Sequence, residues 1–154
     1  MSVPVVETIA VEIAARINEI TTVNGFNQNL VAVRPKRNDF SEEPPANGKV
    51  LIWQGGESHP EGEAIGCDEW LQDFELIAIV KDSDAATSAI DTRLNQVRAD
   101  IQKKLLADHT RGGNAIDTRF SGSYKFDDGE GFTGIVVVGV VHYRTQYLNP
   151  YAKG

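Results

Sequence analysis

The final stretch of the chain has an unusual hydrophobic pattern. From Gly134 it reads Gly-Ile-Val-Val-Val-Gly-Val-Val-His-Tyr-Arg-Thr-Gln-Tyr, ending at Tyr147. A β-strand shows alternate side chains to opposite faces of its sheet. Ile135, Val137, Val141 and Tyr143 therefore share one face, and Val136, Val138 and Val140 share the other. An antiparallel sheet with one wet face alternates apolar and polar residues. Here both faces are apolar, so both call for cover. Helices of the same chain can supply one cover; the other points to a second subunit.

Elsewhere the periods are clear. Val6, Ile9, Ala10, Ile13, Ile17 and Ile20 follow the helical repeat and predict an amphipathic helix over about Val5 to Glu19, with Pro4 suited to its first turn. Ile90, Leu94, Val97, Ile101 and Leu105 form a second stripe, and Asp82-Ser83-Asp84 supplies capping residues before it. Arg93, Arg98, Asp100, Lys103 and Lys104 are expected on the other sides of that helix. Strands are predicted at Asn29–Arg34, Lys49–Gln54, Trp70–Lys81 and Arg119–Phe126. Asp127-Asp128-Gly129-Glu130-Gly131 reads as a hairpin turn into the final strand. Lys36–Asn47 and the glycine-rich Gly55–Glu63 read as loops.

The resulting order is helix, three strands, helix, two strands. It predicts one α+β domain over residues 1–154: a mainly antiparallel or mixed sheet of about five strands, with both helices on one face. A chain of 154 residues with 41% hydrophobic and 24% charged residues has enough material for a real core. The apolar run Ile135–Val141 is far shorter than a bilayer span of about 20 residues, so no membrane partner is expected.

Charge narrows the function. The net charge of −7 argues against a sequence-reading nucleic-acid binder, which needs a basic footprint. Between Lys49 and Lys81 there is no Lys or Arg, but there are seven carboxylates: Glu57, Glu61, Glu63, Asp68, Glu69, Asp73 and Glu75. A solvated acidic surface accounts for them most simply. The sharper reading is a surface, centred on Glu57, Glu61, Glu63, Asp68 and Glu69, that repels passing DNA or meets a basic partner.

Catalytic and metal motifs are sparse. His59-Pro60-Glu61 matches half of a zinc-deaminase signature, but the single cysteine, Cys67, cannot supply the P-C-x-x-C half. Asp127-Asp128-Gly129-Glu130 lacks the ligand spacing of a calcium loop. His109 suits the C-terminal end of the second helix, and His142 suits a packed or interface position. With no nucleophile elbow, Walker loop or dinucleotide fingerprint, the expectation is no enzyme, no metal and no cofactor.

The layout resembles the tail-terminator and tail-completion proteins of long-tailed bacteriophages, the family of the lambda minor tail protein U. The resemblance covers nearly the full length. It rests on the N-terminal amphipathic helix, the Arg34-Pro35 strand end, the helix Ala85–Ala107 and the ending Val140-Val141-His142-Tyr143-Arg144-Thr145-Gln146-Tyr147-Leu148-Asn149-Pro150-Tyr151. It implies a structural subunit of the virion that forms a homohexameric ring on the tail tube, stops tail polymerisation and joins the head–tail interface. The implied partners are further copies of the chain, the tube protein and the head–tail connector, with DNA passing through without specific binding. The expected subunit and tail contacts are Arg34, Lys36, Arg37, Val136, Val138 and Val140. Another neck component, such as a head-completion or connector protein, and a small non-phage binding module are the alternatives.

Overall fold

A computed structural model describes residues 1–35, 47–62, 65–81, 89–127, 129 and 132–154. The elements run α1 (Val5–Asn18), a short 3₁₀ turn (Thr22–Asn24), β1 (Val31–Val33), β2 (Lys49–Ser58), β3 (Cys67–Lys81), α2 (Ile90–Leu106), β4 (Asp117–Asp127), β5 (Phe132–Gln146) and β6 (Asn149–Lys153). The six strands form one mixed sheet, curled into a half-barrel, in the order β1-β2-β3-β5-β4, with β6 also against β5. Among the described residues β1 and β2 run parallel, and the other pairs are antiparallel. The fold is the α+β class that the hydrophobic pattern predicts.

The apolar stripes explain the layering. Val5, Ile9, Ala10, Ile13 and Ile17 of α1 are buried, as are Leu94, Val97, Ile101 and Leu105 of α2. Both stripes meet one sheet face built by Val50 and Ile52 of β2, Phe74, Leu76, Ala78 and Val80 of β3, and Ile135, Val137, Val141 and Tyr143 of β5. α1 lies towards β1 and β2, and α2 towards β3, β4 and β5. The face assignment made from the period of the final strand is therefore observed: its Ile135–Tyr143 set faces the helices.

Several boundaries differ from the expectation. The Gly55–Glu63 segment is not wholly a loop, because β2 continues through Gly55, Gly56, Glu57 and Ser58. A register shift between Gln54 and Glu57 lets the glycines bulge without ending the pairing. The Gln72 carboxamide holds that bulge by donating to the Gly55, Gly56 and Asp73 carbonyls at 3.1, 3.3 and 2.9 Å. On the partner side β3 begins at Cys67 rather than Trp70. The first strand shrinks to three residues, and its parallel pairing with β2 excludes a tight hairpin between them. A sixth strand, β6, follows the turn at Tyr147 and Leu148.

α2 starts at Ile90, with Ala89 at the N-cap position and no side-chain cap. The expected Asp82–Asp84 cap lies outside the described residues, as do Lys36, Arg37 and Glu63. Asp100 is not on a solvated side of α2 but buried. Its carboxylate accepts from the Asn27 and Gln28 backbone N–H groups at 2.9 and 3.2 Å and from the Asn27 side chain at 2.9 Å. A buried carboxylate is tolerated when its lone pairs are filled in this way. It ties the segment after α1 to the middle of α2.

Candidate functional site

The sheet face away from the helices divides into an apolar and a charged part. Leu51, Ile77, Ile79, Val136 and Val138 come together where β2, β3 and β5 run side by side. Val136 and Ile79 are buried within the subunit, while Val138 and Val140 are half-buried. Phe126 of β4 lies over Gly134, so close that an added Cβ would stand 2.2 Å from the ring. Only hydrogen at that position leaves room for the ring to cover the end of the strip. The surplus apolar surface is thus smaller than the period alone suggests, and the part that remains accessible includes Ile77, Val138, Val140 and the exposed Tyr124.

Further along the same face the pattern turns polar. Leu71, His109, Ile116, Asp117, Arg119, Val140 and His142 line an open cleft of about 440 Å³. Asp117 and His142 are directly opposed on β4 and β5. His109 Nδ1 lies 3.3 Å from Asp117 Oδ1, and Arg119 Nε donates to Asp117 Oδ2 at 2.6 Å. The Arg119 hydrogen bond is the main reason that the Asp117 carboxyl is held below its usual range. Beside the cleft, His142 Nε2 lies 3.0 Å from Glu69 Oε2, and Arg144 donates to Glu69 Oε1 at 2.6 Å. Each imidazole is thus oriented by a carboxylate. The lining combines two histidines, Asp117 and Arg119 with the apolar Leu71, Ile116 and Val140.

Among the described residues, Glu69 is the buried member of the predicted acids. Burial alone would raise its carboxyl, but hydrogen bonds from Arg144 and His142 outweigh that and hold it below its ordinary value of 4.5. A carboxylate depressed in the folded state stabilises the protein above its unfolded pKa and loses that contribution as pH falls through the folded pKa. The stability advantage of the wild type over Glu69→Gln is therefore expected to be full at neutral pH and to shrink below about pH 5. Urea unfolding midpoints of both proteins along a pH series check this, and a gap that stays constant into acid would contradict it.

The structure disperses the rest of the acidic set. Glu57 accepts a 2.9 Å hydrogen bond from the Tyr143 hydroxyl on the helix-facing side. Burial, reinforced by Glu57, pushes the Tyr143 phenol upward. Asp68 accepts from the Leu148 backbone N–H at 3.2 Å, and Glu61 is exposed. Glu57, Asp68 and Glu69 thus engage different partners on different sides of the β2–β3 hairpin and do not form one continuous acidic wall. Arg34, expected at a subunit contact, makes a bidentate pair with Glu7 of α1 at 2.5 and 2.9 Å and also reaches Gln54 at 3.2 Å. The Arg34 hydrogen bond lowers the Glu7 carboxyl.

The His109–Asp117–Arg119 cluster was not visible as a site in the sequence, because its members come from a turn and a strand edge with no local motif. The cross-strand register that brings Asp117 beside His142 is a tertiary fact. Among the described residues no group of three or more His, Cys, Asp or Glu side chains is placed to hold a metal ion, and no helix is long and apolar enough to cross a membrane. No protein-family model matches the chain, and no curated protein matches it either.

Proposed function

We propose that the chain is the subunit of a ring that caps the tail tube of a long-tailed phage, ends tube growth and forms part of the head–tail joint. The observation that carries this reading is the asymmetry of the sheet's two edges. β4 is an eleven-residue strand that ends the sheet, and Ser121–Lys125 are exposed along it. At the other edge β1 has three residues, and its Ala32 N–H is taken by the Asn18 side chain at 2.8 Å. A long open edge is a template for pairing with another chain. Tyr124, Val138 and Val140 lie beside that edge and add apolar area to it. The closed β1 edge cannot receive a neighbour's β4. In a ring β4 and its apolar residues therefore meet another surface of the next copy, a heterologous contact that forms a ring where its rotation closes.

The resemblance of the sequence layout to tail terminators supplies the biological setting. The partners in this reading are other copies, the tube protein and the head–tail connector. The net charge of −7 suits a ring through which DNA passes without being held. A different neck component is the nearest rival, and electron microscopy of tails assembled without this protein separates the two. A terminator's absence gives tubes of uncontrolled length; uniform tails lacking heads would count against the terminator role. The cleft at His109 and His142 favours a second reading, a small binding module, which requires a monomer that functions without assembling.

A pair of substitutions tests the interface. Val138→Asp, on the half-buried outer strip, is expected to weaken ring assembly on tubes at least tenfold while leaving the urea midpoint nearly unchanged. Val137→Asp, at a fully buried position, is expected to unfold the protein. Mass photometry and denaturation curves read the two effects. Equal assembly by wild type and Val138→Asp would remove β5's outer strip from the interface.

A further inference from the structure

The cleft at His109 and His142 presents polar groups that the fold itself leaves unused. Its walls are tied together. The buried Thr118 hydroxyl donates to the His109 carbonyl at 2.7 Å, and the Ile116 N–H donates to the His142 carbonyl at 2.7 Å. The carboxylates around it are consumed internally. Asp117 Oδ1 faces His109 Nδ1 at 3.3 Å and accepts from the Thr118 N–H at 2.9 Å, while Oδ2 accepts from Arg119 Nε. Glu69 takes His142 on one oxygen and Arg144 on the other. Asp73 stands opposite Val140 on β3 and does not line the cleft. An ionised carboxylate only accepts, so His109 Nδ1 and His142 Nε2 carry hydrogen. Their other ring nitrogens, His109 Nε2 and His142 Nδ1, have no hydrogen-bond partner among the described residues. Neither do the two terminal nitrogens of Arg119.

We propose that this cleft binds a small organic carboxylate, its charge held by Arg119 and the two imidazoles and its apolar body set against Leu71, Ile116 and Val140. A bare anion would leave those three side chains unused, and an uncharged apolar molecule would leave Arg119 unanswered. A volume of about 440 Å³ lies within the range of small-ligand sites. The free end of a guanidinium matches a carboxylate with paired N–H donors. A neutral imidazole offers a lone pair at its second nitrogen, whereas an imidazolium offers an N–H. Histidine changes charge between about pH 5 and 8, so acidification across that range adds donors while an organic carboxylate stays ionised. The charged groups facing the rings favour the added protons. Asp117 faces His109, and Glu69, shared with Arg144, faces His142, with Asp117 opposite on β4. Asp108, next to His109, is held by Thr110 and Gly112. Arg119 is mostly exposed, so binding is modest and weakens with salt. The site is complete within one subunit and stands apart from the ring reading.

The test titrates the full-length protein with phenylacetate and follows the imidazole signals by NMR at fixed pH. Phenylacetate is expected to shift the His109 and His142 rings with a millimolar Kd at about pH 6, and to bind at least threefold more weakly at about pH 8. Phenylacetamide, which lacks the charge, and acetate, which lacks the body, are each expected to bind more weakly than phenylacetate. Arg119→Gln is expected to weaken phenylacetate binding at least tenfold with a urea midpoint close to wild type, because an exposed ion pair contributes little to stability. Lys153→Gln removes an exposed cation on β6 and is expected to leave binding unchanged. Imidazole signals unmoved by phenylacetate would overturn the site. So would phenylacetamide or acetate binding as tightly as phenylacetate, an equal loss from Lys153→Gln, or an affinity that does not rise on acidification. None of these measurements reads assembly, so their failure leaves the ring reading where it stands.

Discussion

Replacing Arg111 with alanine is expected to cost about 3–5 kcal/mol of stability, the range for breaking a buried ion pair by removing one partner. Arg111 follows α2 and its side chain is completely buried. Its guanidinium donates to the Leu105 and Asp108 carbonyls and, at 3.1 Å, to Glu12 of α1. It therefore satisfies carbonyls that the end of α2 leaves open and ties that end to the first helix. Burial lowers its pKa from the usual arginine value, opposed by the charges of Glu12 and Asp108, and it stays cationic at any working pH. Alanine would leave Glu12 Oε2 and the two carbonyls without this donor, while Arg16 still pairs with Glu12 Oε1 at 2.7 Å. Arg111→Lys keeps the charge but lacks the planar fork that reaches several acceptors at once, so its loss should fall between wild type and alanine. Chemical denaturation of the three proteins reads the ranking. A cost below about 1 kcal/mol for alanine would show that the network is incidental.

Ile101→Ala is expected to cost about 2–5 kcal/mol, with Leu94→Ala in the same range. Ile101 is fully buried and Leu94 nearly so, in the stripe that α2 lays on the sheet. The removed methyl groups lose their burial, and the sheet beneath cannot collapse freely into the gap. Interiors are close-packed, so the lining atoms also lose contacts. Leu106 lies on the same helix and is exposed, so Leu106→Ala is the matched control and should cost within about 0.5 kcal/mol. Losses as small as the control at both core positions would mean that α2 does not seal the core.

Periodicity carried the core. The stripes of Ile9, Ile13 and Ile17, of Leu94, Val97, Ile101 and Leu105, and the alternation of Ile135, Val137 and Val141 each state which side is buried. The structure buries those sides because removing apolar area from water is the dominant favourable term. Asp100 and Arg111 escaped that logic. Their burial depends on acceptors and donors far away in sequence: Asn27 for Asp100, Glu12 for Arg111. Hydrophobicity alone places such residues in solvent, and no local spacing marks them as partners. Gly55 and Gly56 misled for a related reason. Glycine disfavours a strand interior on average, but a bulge pinned by Gln72 accommodates it.

The candidate site was less legible than the fold. His142, Glu69, Val138 and Val140 could each be assigned to a strand and a face by counting residues. Their neighbours could not be, because Asp117 meets His142, and Glu69 meets Arg144, only once strand order and register are fixed. The same holds for Arg34, whose cation is consumed by Glu7 across the gap between β1 and α1. By itself, the sequence of this protein determined its elements, their buried faces and its α+β class, since these follow from short-range periodicity and apolar burial. The tertiary structure alone decided which charges neutralise one another and which sheet edge stays open. Those depend on long-range pairing, and Coulomb and hydrogen-bond energies act only between groups that the fold has already brought within a few ångströms.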